Sequence, residues 1–224
     1  MAAGRQSVRT ASLVGGTVSF VGVARDLETA GNLIDILDAY EGAPGAVLVN
    51  VAPRNGAAKK WENGTPFGYF RYKQVLMVSS IDGLTLSLVK KLGLVDAVRV
   101  LNIPTVMEWF VSENILSREE GERIVNTQFR SYECVPRVAA YLLENKEVEG
   151  ERMSIADVPD APSAVWWADN FGNCKTTLLR NDIPHDDRVE TRFGALPYFE
   201  RLKDVPDGTV ALVTGSSGIG AHRF

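Results

Sequence analysis

Residues Val210 to Gly220 read VALVTGSSGIG, an apolar run that breaks into small residues, and its interpretation separates two folds. In a dinucleotide-binding fold such a stretch is a strand and a glycine loop, and the helix that follows holds a pyrophosphate on its free N–H groups. That fold requires a helix after the loop and a second strand after the helix. Only Ala221, His222, Arg223 and Phe224 follow here, and only Ser216 and Ser217 separate Gly215 from Gly218, where the dinucleotide pattern places three residues. A nicotinamide oxidoreductase is therefore the least supported of three functional readings, because the motif has meaning only in its strand–loop–helix context.

Working back from that stretch, AVWWADNFGNCKTTLL, RVETRFGALPYFERL and GTVALVTG are short strand-like runs separated by Asn, Asp, Gly and Pro turns, with no helical period. Residues 163–224 are accordingly expected to form a small all-β, barrel-like domain. The segment Lys146–Pro162 is rich in Glu, Asp and Pro, and its end reads as a linker.

Residues 1–155 are expected to form an α/β domain, a largely parallel sheet with flanking helices. TVSFVGVA (Thr17–Ala24) reads as a buried strand, and Leu27, Ala30, Ile34, Leu37 and Tyr40 line one face of a helix. APGAVLVNVAP is a second strand, ending at Pro53. Strand, helix, strand is the order of a parallel sheet. Arg54–Gly68 is an aperiodic loop at the strand end where parallel sheets bind ligands. YKQVLMVSS, LTLSLVKKLGL and AVRVLNI continue as strand, helix and strand. Ser117 and Glu120 have capping-box spacing for a helix start, and VPRVAAYLLEN makes another helix.

Of the 224 residues, 45% are hydrophobic and 23% charged, with a net charge of −4 and no basic run, so a nucleic-acid partner is not expected. Cys134 and Cys174 are far apart, which gives neither a disulfide framework nor a zinc site. With only His185 and His222, a histidine-rich metal site is not expected. No apolar run approaches the roughly 20 residues of a membrane span, and the N-terminus lacks a signal-peptide core. A cytoplasmic setting without membrane association is the expectation.

Several motifs then fall in order along the chain. Asp169-Asn170-Phe171-Gly172-Asn173, followed by Thr176 and Thr177, resembles the D-x-F-G-N-x-x-T-N signature of the S-adenosylmethionine hydroxide adenosyltransferase and fluorinase family. Ile81-Asp82-Gly83-Leu84 resembles that family's P-(D/N)-N-G-L turn, and Phe129-Arg130-Ser131-Tyr132-Glu133 resembles the halogenases' F-Y-S-x-E. Gly215-Ser216-Ser217-Gly218 sits where the family has N-S-x-G. The resemblance extends from about Thr17 onward. It implies a trimer with each ligand site between one subunit's first domain and its neighbour's second. The implied reaction is attack by water or halide on the ribose C5′ of S-adenosylmethionine, with no cofactor beyond that substrate.

Carried over to this chain, Ser131 faces the nucleophile and Arg130 stands beside it as the second catalytic candidate. Asp169 receives the ligand's ammonium, Phe171 and Asn173 flank the adenosine, and Ser216 with Ser217 binds the carboxylate. Phe129 and Asn55 complete the binding set. Beside each stands a plainer reading: Asp169 as a turn cap, Phe171 and Phe129 as core, Ser131 as a helix cap. The chain also departs from the family. The hydrolase Asp, Arg and His positions correspond to Ala52, Lys59 and Arg130, and the halogenase tyrosine also falls at Ala52. No counterpart of the family's first-strand Asp precedes Thr17, and the adenine-holding strand would begin where Phe224 ends the sequence. A catalytically silent binder of S-adenosylmethionine or adenosine is thus the alternative to an enzyme.

Overall fold

The structure, a computed structural model, describes residues 19, 21–39, 43–51, 65–144 and 146–224. Ser19 and Val21–Ala24 adopt no regular structure, and the rest of the expected first strand lies outside the described residues, as do Tyr40, Ala52, Asn55 and Lys59. Helix α1 (Asp26–Ala39) is the first described element and buries Ala30, Ile34 and Leu37 of the expected stripe together with Leu33, while Leu27 is half-buried. Then come β1 (Gly45–Val49), β2 (Phe67–Tyr72), β3 (Val75–Ser80), α2 (Ser87–Lys91), β4 (Ala97–Val100) and α3 (Ile103–Ser112). Helices α4 (Arg118–Asn126), α5 (Arg130–Glu133) and α6 (Val135–Leu143) lead to β5 (Glu151–Ser154).

These five strands form one sheet in the order β1-β3-β2-β4-β5. Only β1–β3 is a parallel pairing; β2 runs antiparallel to both β3 and β4, and β5 antiparallel to β4. The expectation of a largely parallel sheet is therefore wrong, and one hairpin is the reason. Phe67–Tyr72, assigned partly to a loop, is a full strand that turns back into β3 through Lys73 and Gln74. Lys73 takes a φ of 51°, a conformation that sequence reading expects of glycine or asparagine. Inserting β2 separates β3 from β4, so the strand–helix–strand unit β3–α2–β4 skips a position. Residues Glu151–Ser154, inside the Glu- and Pro-rich segment, form the edge strand β5.

Side chains of β3 alternate between two cores, which is what a strand covered on both faces requires. Leu76 and Val78 join Phe110, Ile124, Val135, Val138 and Leu142 of helices α3, α4 and α6 on one face. Val75 and Met77 join Leu33, Ile34 and Leu37 of α1 and Leu88 of α2 on the other, together with Val158 and Phe224. Helix α3 escaped the sequence reading. It starts at the Asn102 cap, whose side-chain oxygen accepts from the Thr105 N–H, and carries Pro104 in its first turn.

After residue 163 the strands are short: β6 (Val165–Ala168), β7 (Cys174–Thr176), β8 (Arg188–Thr191), β9 (Gly194–Phe199), β10 (Leu212–Val213), β11 (Gly218–Ile219) and β12 (His222–Arg223). They make a three-stranded sheet β10-β9-β8 and two separate ribbons, β6–β7 and β11–β12. The barrel expected here does not form. Both ribbons pack on α1 instead of completing a ring with β8–β10. The stretch Gly218–Arg223 is a hairpin turning at Gly220, whose φ is 60°, so its glycines serve a tight turn and no helix follows them.

Candidate functional site

The residues singled out by sequence fall at three corners. The first lies where α4 meets α6. Helix α4 begins at Ser117, whose hydroxyl accepts from the Glu120 N–H while the Glu120 carboxylate accepts from the Ser117 N–H. It ends at Thr127, whose hydroxyl accepts from the Phe129 N–H. Phe129 is the residue before the single turn α5, and its carbonyl accepts from the Tyr132 and Glu133 N–H groups. Its ring is 62% exposed, so the core reading of Phe129 does not hold. Arg130 and Ser131 are half-buried within α5. Ser131 is not the helix cap, a position that Phe129 occupies without any side-chain bond. Beside them, Glu133 is clamped by Arg123 at 3.0 Å and Arg137 at 3.4 Å, a network that braces the corner. Cys134 is buried behind it, and loss of solvation pushes its thiol up to about 12, which leaves it protonated and inert.

The second corner is the turn of the β6–β7 ribbon. One carboxylate oxygen of Asp169 accepts from the Phe171 and Asn173 N–H groups, each at 2.8 Å, and the other accepts from the Asn173 side-chain amide. These bonds, led by the Asn173 amide, hold its carboxyl below the ordinary carboxylate value. Gly172 completes the turn at a φ of 91°. Asp169 is thus a turn cap, as its plainer reading had it, and Asn173 is its partner. Phe171 projects from this turn with 83% of its surface exposed, so it has no place in the core.

The third corner is the Gly215–Gly218 loop. The Gly215 N–H donates to the Phe224 carbonyl and the Phe224 N–H donates to the Ser217 carbonyl, closing a short ring of backbone. Ser216 is exposed, whereas Ser217 is buried and its hydroxyl has no partner among the described residues. Ser216, rather than Ser217, is the serine that faces solvent. Asn55, the remaining candidate, lies outside the described residues.

Two of the corners share one support. Gly31, Asp35 and Asp38 recur at intervals of four and three along α1 and so line a single face. Trp166 of β6 seats its indole on Gly31, where any Cβ would overlap the ring. Lys175 of β7 pairs with Asp35 at 2.6 Å, and Arg223 of β12 pairs with Asp38 at 2.7 Å. The same guanidinium donates to the carbonyls of Ser216 at 2.9 Å and Gly218 at 3.1 Å. The Asp169 turn and the serine loop therefore rise from adjacent points of one helix. The Phe129–Ser131 corner belongs to the helices on the other face of the sheet. Sequence reading missed Asp35, Asp38 and Arg223, although two acids on a helix facing late basic residues leave no local pattern to find.

The sheet edge holds a further polar group that was not singled out by residue. The Asp26 carboxylate accepts from the Leu84 N–H, tying the first turn of α1 to the Ile81–Leu84 turn, and Ser80 accepts from the Val51 N–H. An acid just before an apolar helical stripe was the legible signal there. Two open clefts, of about 400 and 530 Å³, lie elsewhere, around Tyr69, Arg99 and Glu147, and none of the three corners lines them.

No family model and no curated protein matches the chain. Among solved structures it is similar to a crystal structure of an uncharacterized conserved protein from Thermotoga maritima, with 14% identity and a TM-score of 0.59. That likeness covers 97% of this chain and 85% of the other, and it speaks for the fold alone. Among the described residues, no helix is long and apolar enough to cross a membrane.

Proposed function

We propose that this protein binds S-adenosylmethionine and cleaves its ribose C5′–S bond by nucleophilic substitution with water or a small anion. The observation that carries the reading is the shared anchoring of the Asp169–Asn173 turn and the Gly215–Gly218 loop on α1, with Phe171 exposed beside them. The ordered motifs of the sequence agree with it. In the reaction, the nucleophile bonds to C5′ as the C–S pair passes to sulfur, and the sulfonium leaves as neutral methionine. With water, the proton goes to solvent. A sulfonium needs little activation, so the protein contributes alignment and removal of water. Ser216 would hold the carboxylate, Phe171 and Asn173 the nucleoside, and Ser131 the nucleophile.

Within one chain, Ser131 belongs to the helices on one face of the sheet and Asp169 to a ribbon resting on α1 at the other. A complete site therefore takes its first-half corner from one copy and its second-half corners from another, in a cytoplasmic homotrimer. The exposed Trp167, Phe171, Phe193, Leu202 and Val210 supply apolar surface for that contact. A second reading, a silent binder, gains weight from Glu133. Its carboxylate is held by Arg123 and Arg137, so it serves the corner as an ion-pair partner rather than as a base for water. Incubation with S-adenosylmethionine, then chromatography for adenosine, halo-adenosine and methionine, is the test. Turnover supports the enzyme; a ligand-dependent rise in melting temperature without products supports the binder; neither signal overturns both.

A further inference from the structure

We infer that Asp35 and Asp38 are positioning residues that hold the Asp169–Asn173 turn and the Gly215–Gly218 loop at a fixed separation. This rests on the reading of those two corners as a ligand site. On a helix rising about 1.5 Å per residue, the two carboxylates are about 4.5 Å apart along the axis and on one face. Lys175, held by Asp35, lies two residues beyond Asn173, about 7 Å at the rise of a strand. Arg223, held by Asp38, grips the Ser216 and Gly218 carbonyls with the same guanidinium nitrogen. Both recognition corners are thus one cationic side chain away from neighbouring acids on a rigid rod.

The magnitudes favour alignment over cohesion. Lys175 and Asp35 are 32% and 29% exposed, Arg223 and Asp38 32% and 25%, and ion pairs this open to solvent contribute little to stability. Cohesion comes from Trp166 on Gly31 and from Phe224 in the core. Removing a carboxylate should leave both ribbons docked while freeing the angle at which each corner is presented. Arg223 also joins a carboxylate and two carbonyls through one guanidinium nitrogen.

Spin labels at Asn170→Cys and Ala221→Cys, in a Cys174→Ser background with the buried Cys134 left in place, measure the separation without any ligand. Labelled chain is diluted with unlabelled chain so that only intramolecular distances count. The expected result is a single narrow distance that broadens at least twofold in Asp38→Asn, with the melting temperature nearly unchanged. S-adenosylmethionine should bind that variant about tenfold more weakly, or ~1.4 kcal/mol, with Arg223→Lys intermediate. Should Asp38→Asn fail to fold, Asp35→Asn reads the neighbouring anchor. An unchanged distance distribution overturns the inference. Broadening in a chain whose native form never binds S-adenosylmethionine keeps the inference and removes the functional reading instead.

Discussion

Strands β3 and β6 are near neighbours in length and opposites in setting. All six residues of β3 are buried, whereas β6 buries only Trp166 and leaves Trp167 40% exposed. The first belongs to a sheet covered by helices on both faces. The second belongs to a ribbon resting on one helix. Burying a large apolar side chain stabilises by about 1.5–3 kcal/mol, so cohesion resides in the sheet and its helices. The ribbons retain exposed rings and polar turns, which are the materials of recognition.

The sharpest way to break this contrast is a pair of substitutions. Phe110→Ala, deep in the helical layer against Trp109 and Tyr141, should cost ~3–5 kcal/mol in urea unfolding. Phe171→Ala should change stability by less than about 0.5 kcal/mol while weakening S-adenosylmethionine binding. Comparable losses of stability at both sites would erase the distinction.

A smaller effect tests the seam between the regions. Alanine in a helix normally stabilises by up to ~1 kcal/mol over glycine, but at Gly31 its methyl would overlap the Trp166 indole. Gly31→Ala should therefore destabilise by ~1–3 kcal/mol and shift the tryptophan emission. Stabilisation would mean that the indole does not sit there.

The smallest concerns acid. The folded Asp169 carboxyl lies below its ordinary 3.8, so the stability it contributes is present above that pH and lost as pH falls through the lower folded value. The Phe171 and Asn173 amide proton resonances should move with a midpoint below pH 3.8. In Asp169→Asn that transition should vanish. Movement already complete at pH 4 would count against the turn geometry.

Local chemistry was legible in the sequence; pairing over distance was not. The Ser117–Glu120 cap and the apolar stripe of α1 follow from spacing within one turn of helix. Strand alternation sends Trp166 and Trp167 to opposite sides, but which of the two is buried is settled only by the packing on α1. The β2–β3 turn escaped notice because Lys73 and Gln74 carry none of the usual turn residues, and that omission, with the edge strand β5 read as linker, converted a mixed sheet into an expected parallel one. The barrel failed for a related reason: short strands with good turns specify ribbons, and nothing local says that two of them will rest on α1. Of the candidate site, residue types and turn positions were readable. The division of its corners between the two faces of the sheet was not.

The two innermost strands meet through a turn of two residues, while Arg223 must find Asp38 across 185 positions of chain. Closing so wide a loop gains nothing until the intervening structure has condensed. The helix stripe that receives both ribbons is therefore completed late in folding, after the sheet that carries it.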